Sequence, residues 1–235
     1  AYVDPQWSTH STGDSRNDRS ATMGNVGVNY TIDKNHSVGA QYRFTRSERS
    51  EDRFDLLERY IEGELSDRLE TDARNETAGD NHYVNAYYAG KLAKNLTADF
   101  NFDFLSNNSD ADQMLDERGL DGTPSRKVTS SSTSDNRLYA AKLVFGYQRG
   151  KSLFRFGGEY TDIGRDNLYI NNLDDVPDSD TRTTERKAAA FVNYALKFGK
   201  GAQLQAGLRY EHTGNSYYVN GQKSGDQSRT YDNLF

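Results

Sequence analysis

VNAYYAGKLAKNLTADFNFDF, residues 84 to 104, is two runs of alternating apolar and polar residues joined by a short polar turn. Side chains of a strand point to opposite faces in turn, so a period of two marks a sheet with one apolar and one polar surface. Leu96, Ala98, Phe100, Phe102 and Phe104 fall on one face, and Thr97, Asp99, Asn101 and Asp103 on the other. The same unit recurs as VGVNYTIDKNHSVGAQYRF (26 to 44), YAAKLVFGYQRGKSLFRFGGEY (139 to 160) and AAFVNYALKFGKGAQLQAGLRY (189 to 210). In these copies Val38, Ala40, Tyr42 and Phe44 oppose Gln41 and Arg43. Phe154, Phe156 and Tyr160 oppose Arg155 and Glu159, and Leu204, Ala206, Leu208 and Tyr210 alternate with Arg209 and Glu211. The pattern predicts an all-β chain, an antiparallel up-and-down meander of about eight long strands in four hairpins.

Periodicity alone leaves the cover of the apolar face open. A soluble sandwich buries that face against a second sheet, whereas a transmembrane barrel turns it to lipid and keeps the polar face in its lumen. The connections favour the barrel. Turns within units are short, near residues 33 to 36, 93 to 95, 149 to 152 and 199 to 202, and polar connections of roughly twenty to thirty-five residues are expected between units. Short turns at one end and long loops at the other is the asymmetry of outer-membrane barrels, whose strands span a bilayer with about 9 to 11 residues.

The 235 residues read as one β-barrel region, with residues 1 to 20 expected as a polar N-terminal loop segment. No cysteine is present, which excludes disulfides and thiolate metal sites. A net charge of −6 without a basic cluster argues against nucleic acid as a partner. No segment approaches the roughly twenty apolar residues of a membrane helix, although alternation halves the apolar content of a barrel strand. The segment FDLLERYIEGELSDRL (54 to 69) carries Phe54, Leu57, Ile61 and Leu65 at helical spacing, and reads either as a short amphipathic helix or as an extension of the strands.

The last hairpin carries a family likeness. ERKAAAFVNYALKFGKGAQLQAGLRYEHTGNSYYVNGQ, with YDNLF closing the chain and NHYVNAYYAGKL at 81 to 92, resembles the barrel region of Bacteroidetes-type TonB-dependent outer-membrane receptors and their outer-membrane β-barrel relatives. The resemblance implies a barrel fragment without plug signatures, taken from a receptor that binds an extracellular nutrient and imports it. It also implies outer-membrane lipid as surroundings, and a link to the TonB complex through an N-terminal region. It implies no cofactor. A surface adhesin or ligand-binding module without transport is the alternative reading, and a small barrel enzyme a third. Eight strands cut from a larger barrel leave two edges, so closure into a smaller barrel, self-association or a curled sheet is expected.

In that setting Arg43, Asp99, Asn101, Asp103, Lys142, Arg155, Glu159, Arg209 and Glu211 are the candidate lumen-facing polar residues. Phe100, Phe102, Phe154, Phe156, Leu204 and Leu208 are the candidate lipid-facing ones. In a closed eight-stranded form Asp99 or Asp103 is expected to pair with Lys142, because an isolated buried charge costs several kcal/mol. Tyr30, Tyr87, Tyr88, Tyr147, Tyr160, Tyr194 and Tyr210 read as an interfacial girdle. Catalytic and metal roles find little support. His10, His36, His82 and His212 are scattered, and no serine sits in a G-x-S-x-G turn. The acidic stretches Asp110, Asp112, Asp116, Glu117 and Asp174, Asp175, Asp178, Asp180 lack the glycine of an EF-hand loop and read as solvated loops. The carboxylate pairs Glu159 with Asp162 and Asp99 with Asp103 read as pore lining rather than as acid and base.

Overall fold

The computed structural model describes residues 6–120, 124–199 and 201–235. Eight long strands follow one another: β1 (Trp7–Asp33), β2 (His36–Ile61), β3 (Glu64–Ala93), β4 (Leu96–Leu120), β5 (Arg126–Arg149), β6 (Ser152–Asn171), β7 (Ser179–Phe198) and β8 (Ala202–Val219). Two short strands, β9 (Gln222–Lys223) and β10 (Arg229–Leu234), complete the chain. All pairings are antiparallel, and the order β1-β2-β3-β4-β5-β6-β7-β8-β10 follows the sequence, with β9 also on β8. This is the expected meander. The short turns fall where expected, at residues 34–35, 94–95 and 150–151; the fourth includes position 200, which lies outside the described residues.

The opposite end differs from expectation. The segments read as long polar loops are strand: β2 turns into β3 at Glu62 and Gly63, and β8 into β9 at Asn220 and Gly221. All four turn residues have positive φ, the geometry of a two-residue hairpin turn whose twist matches that of the strands. The 54-to-69 segment is therefore the top of a hairpin and contains no helix. Residues 7 to 20, expected as loop, form the first half of β1, paired from Trp7↔Ile61 to Ser20↔Glu48. Asp110, Asp112, Asp116 and Glu117 likewise lie in β4 rather than in a loop. The physical reason is common to all. Where both faces of a strand are polar the period of two is silent, and pairing shows only in the backbone ladder and in ion pairs across it.

The strands are longer than a bilayer crossing requires. β3 has 30 residues, about 100 Å when extended, against the roughly 9 to 11 residues that cross a bilayer. The sheet is a single layer: Ala98 and Ala189 are its only buried hydrophobic residues among those described. Among the described residues no second sheet covers the apolar face. Nor does the sheet close on itself. β1 pairs only with β2 and β10 only with β8, leaving two free edges instead of a compact eight-stranded barrel.

Candidate functional site

Directly opposed residues of adjacent strands share a face, so the register assigns every candidate. Asn101 faces Lys142, Lys142 faces Glu159, Glu159 faces Ala189 and Ala189 faces Glu211. Through these rungs and the two-residue repeat, Arg43, Asp99, Asn101, Asp103, Lys142, Arg155, Glu159, Arg209 and Glu211 all lie on one face. Phe100, Phe102, Phe154, Phe156, Leu204 and Leu208 lie on the other. There the rung Tyr88, Phe100, Leu143, Gly158, Ala190, Tyr210 crosses six strands. Phe156 is 41% and Leu208 53% exposed, large values for bulky apolar groups.

This apolar band has sharp limits. Away from the short turns its face becomes polar at Arg46, His82, Ser106, Arg137, Asp162, Arg186 and His212 on successive strands. Tyr42, Tyr139, Tyr160 and Tyr210 stand just below that line. Tyr210 donates to Asp232 at 2.7 Å, Tyr160 donates to Asp162 at 3.2 Å, and the Tyr42 hydroxyl meets His82 Nδ1 at 2.8 Å. Tyr30, Tyr88, Tyr147 and Tyr194 lean to the turn end, where Tyr88 meets His36 at 2.8 Å and Tyr194 meets Ser152 at 3.1 Å. Tyr87, expected in this girdle, is on the polar face and donates to Asn29 at 3.0 Å. The eight steps from Tyr139 to Tyr147 span about 27 Å along the strand, or about 20 Å at a 40° tilt.

On the polar face within the band, charges meet across strands. Lys142 Nζ lies 2.5 Å from Glu159, Arg209 lies 2.8 Å from Glu159 and 3.0 Å from Glu211, and Lys187 lies 3.6 Å from Glu211. Arg209 on β8, directly opposite Phe191, reaches diagonally across β7 to Glu159 on β6, past the small Ala189 that stands opposite Glu159. The expected partner of Lys142 is thus corrected: Glu159 takes it, and Asp103 instead accepts from Tyr83 at 2.7 Å, Asn85 at 2.8 Å and Asn101 at 2.7 Å. Lys142 stands directly opposite Glu159, whereas Asp99 and Asp103 sit diagonally from it. Arg43 stacks over the Tyr83 ring at 5.3 Å. Glu159 and Asp162 project to opposite faces and form no acid and base pair. Among the described residues no three His, Asp or Glu side chains gather as a metal site.

Beyond the band the strands continue as a wall whose faces differ again. The continuation of the apolar face is laced with ion pairs: Arg46 with Glu48 (2.9 Å) and Asp80 (3.5 Å), Arg74 with Glu76 (2.6 Å), Arg118 with Asp72, Arg186 with Asp162 (3.0 Å), and Arg182 with Asp166. The continuation of the polar face on β3 to β6 is nearly uncharged. One rung reads Asn81, Asn107, Asn136, Arg165, and the next Gly79, Ser109, Ser134, Asn167. The two above read Thr77, Ala111, Ser132, Tyr169 and Asn75, Gln113, Ser130, Asn171. Ser134 donates to Asn167 at 2.8 Å, and Asn136 donates to Ser134 at 3.3 Å. Sequence reading took these residues as loop. The signals that could have found the wall are the Asn220-Gly221 dipeptide, which suits a two-residue hairpin turn, and Gly63 in the middle of the 54-to-69 segment.

A profile of the outer membrane protein beta-barrel family matches residues 88–235. No curated protein matches the chain. Among solved structures, the ferric preacinetobactin receptor BauA of Acinetobacter baumannii is similar over 100% of this chain and 44% of its own, with 10% identity and a TM-score of 0.43. The unliganded ferric citrate transporter FecA is similar over 95% of this chain and 40% of its own, with 11% identity and a TM-score of 0.42. The siderophore receptor PiuA of Acinetobacter baumannii is similar over 100% and 46%, with 9% identity and a TM-score of 0.41. The chain spans less than half the length of these proteins.

Proposed function

Since the chain belongs to the outer membrane protein beta-barrel family, and so to the Gram-negative outer membrane, we propose that it forms part of the wall of a TonB-dependent receptor that binds an extracellular nutrient and imports it. The observation that carries this reading is the two-faced band. Six bulky apolar candidates share a surface that no other described residues cover, bounded by two tyrosine rows at about the height of a barrel's apolar belt. In this reading Phe100, Phe102, Phe154, Phe156, Leu204 and Leu208 face lipid. The nine polar candidates face the lumen, where the Lys142, Glu159, Arg209 and Glu211 pairs neutralise one another. The short turns then point to the periplasm, the tall wall stands outside the cell and receives the nutrient, and coupling to the TonB complex runs through the receptor's N-terminal region. The chain contributes binding and passage, and no catalytic step.

The test is uptake by cells that express the protein in minimal medium, with and without a functional TonB system. The expected result is protein-dependent uptake of one nutrient class that disappears without TonB. Uptake that persists at the same rate without TonB overturns the transport reading. The height of the β2–β3 hairpin favours a second reading, surface binding without import, and binding with no energy-dependent uptake would select it.

A further inference from the structure

We propose that a recess just above the apolar band on β6 to β9 holds the phosphate-bearing headgroup of a membrane lipid, whose acyl chain runs down the band below. The proposal rests on the band facing lipid and is independent of transport. The recess forms where the ladder on β8 is interrupted. Lys223 of β9 stands opposite Tyr218, β10 begins with Arg229 opposite Asn215, and residues 224 to 228 between them lie outside the strands. The surface left beside β7 is a concavity of about 770 Å³. Its lower margin is the rung Tyr160, Ala188, His212, where the apolar band ends. Above that rung the same face presents Arg186, Arg182 and Lys223, with Asp180 as the one acid described on the lining.

The two arginines are held ready. Arg186 donates its Nε–H to Asp162 at 3.0 Å and Arg182 donates its own to Asp166, and these acids of β6 stand behind the guanidiniums, outside the recess. The terminal N–H groups of each fork remain for an acceptor with paired oxygens, the geometry in which arginine takes phosphate. Arg182 and Arg186 are about 13 Å apart along β7, and Arg182 and Lys223 two strand spacings, about 10 Å, apart, so three long side chains can close on one headgroup. A second recess on the same face, of about 550 Å³ over β1 to β4, has the opposite sign. Asp18, Glu48, Glu76, Asp110 and Asp112 line it, and its arginines, Arg19 and Arg49, belong by register to the polar face. A wall charged only for solubility would not sort its signs between two ends of one face. What lies beneath selects an amphiphile over a free anion. Ala188 and Ala190 on β7, with Gly158 opposite Ala190, leave a shallow track from Arg186 down to Val192 and Leu208. A phosphate on the arginines lays its acyl chain along this track, and itself sits just beyond the tyrosines, where the polar region of a bilayer begins.

The experiment titrates lipid onto the protein in maltoside micelles and counts retained molecules by native mass spectrometry, with folding checked by heat-modifiable migration. The probes are dioleoyl phosphatidate, dioleoylglycerol as the same chains without phosphate, and glycerol 3-phosphate as the phosphate without chains. Saturable retention of phosphatidate is expected, weakened about tenfold or more by Arg182→Gln together with Arg186→Gln. Lys223→Gln, which breaks no ion pair among the described residues, should weaken it too and serves if the double variant does not fold. Arg46→Gln together with Arg74→Gln, the same loss of charge on the same face of β2 and β3, should leave it unchanged. The proposal is overturned by a folded wild type that retains no phosphatidate, by equal retention of dioleoylglycerol, or by equal losses in the two arginine pairs. Glycerol 3-phosphate bound as tightly as phosphatidate would mark a free-anion site and overturns it as well. A monomer that stays dispersed without detergent removes the lipid-facing band and this proposal with it, whereas phosphatidate ignored by a protein that needs detergent sinks this proposal alone.

Discussion

Neighbouring residues on β5 carry opposite assignments, which makes the face division testable one side chain at a time. Leu143 shares the apolar rung with Phe100, while Val144 faces Asp99. Phe100→Arg should cost roughly 2–4 kcal/mol near the middle of the band in a lipid bilayer. Val144→Arg, which gains an acid opposite, should cost less than about 1 kcal/mol. Urea unfolding of protein refolded into vesicles checks both, and equal losses would falsify the division. Glu159 is the shared acid of Lys142 and Arg209, and its side chain is 26% exposed against 52% for Lys142. Glu159→Gln leaves Lys142 without its acid and Arg209 with Glu211 alone, and is expected to lower stability by about 1–2 kcal/mol, discounted for the solvent around Lys142. The same titration measures it.

The hairpins obey rules of their own. Glu62 and Asn220 both sit at positive φ, φ 53 and φ 50, each followed by a glycine. Asparagine tolerates that conformation and glutamate does not, so Glu62→Asn should slow amide exchange at the β2–β3 tip, by up to about 1 kcal/mol of local stability. Gly221→Ala, at φ 74 with open space around the new Cβ, should instead loosen the β8–β9 turn by about 1 kcal/mol or more. The same tip of β2–β3 holds a pH response. Tyr60 and Arg68 donate to Glu58 at 3.0 and 2.9 Å and hold its carboxyl below the usual carboxylate range. A group depressed in the folded state stabilises it above the unfolded value, near 4.3, and loses that effect as pH falls through the folded value. Amides around Glu58 and Arg68 should therefore lose protection below about pH 4, after correction for intrinsic exchange.

Taken whole, the molecule is a sheet without a core. Only Ala98 and Ala189 are buried apolar residues among those described, and these residues offer no interior in which to hide the band. It is expected to need detergent or lipid to stay dispersed, and light scattering should report aggregates when detergent is removed. A detergent-free monomer would contradict the exposed band. The two free edges at β1 and β10 add a second route to association, because unpaired backbone is a template for another strand. How much of this was written in the sequence depends on whether a residue's neighbours in the chain suffice to read it. In LTADFNFDF the alternation of phenylalanine with aspartate and asparagine is a local property, and alternation of this kind sufficed for the strand segments beside the short turns, for their division into two faces and for the antiparallel meander. The polar runs such as SERSEDRF and TSSSTSDN have no such contrast between faces, so they read as loop although they form ladder. Their pairing, the exchange of Lys142's partner from Asp99 or Asp103 to Glu159, and the uncharged rungs across β3 to β6 all depend on register between strands far apart in the chain. Register is set by turn geometry and by the whole sheet, and so it emerged only when the strands were laid side by side.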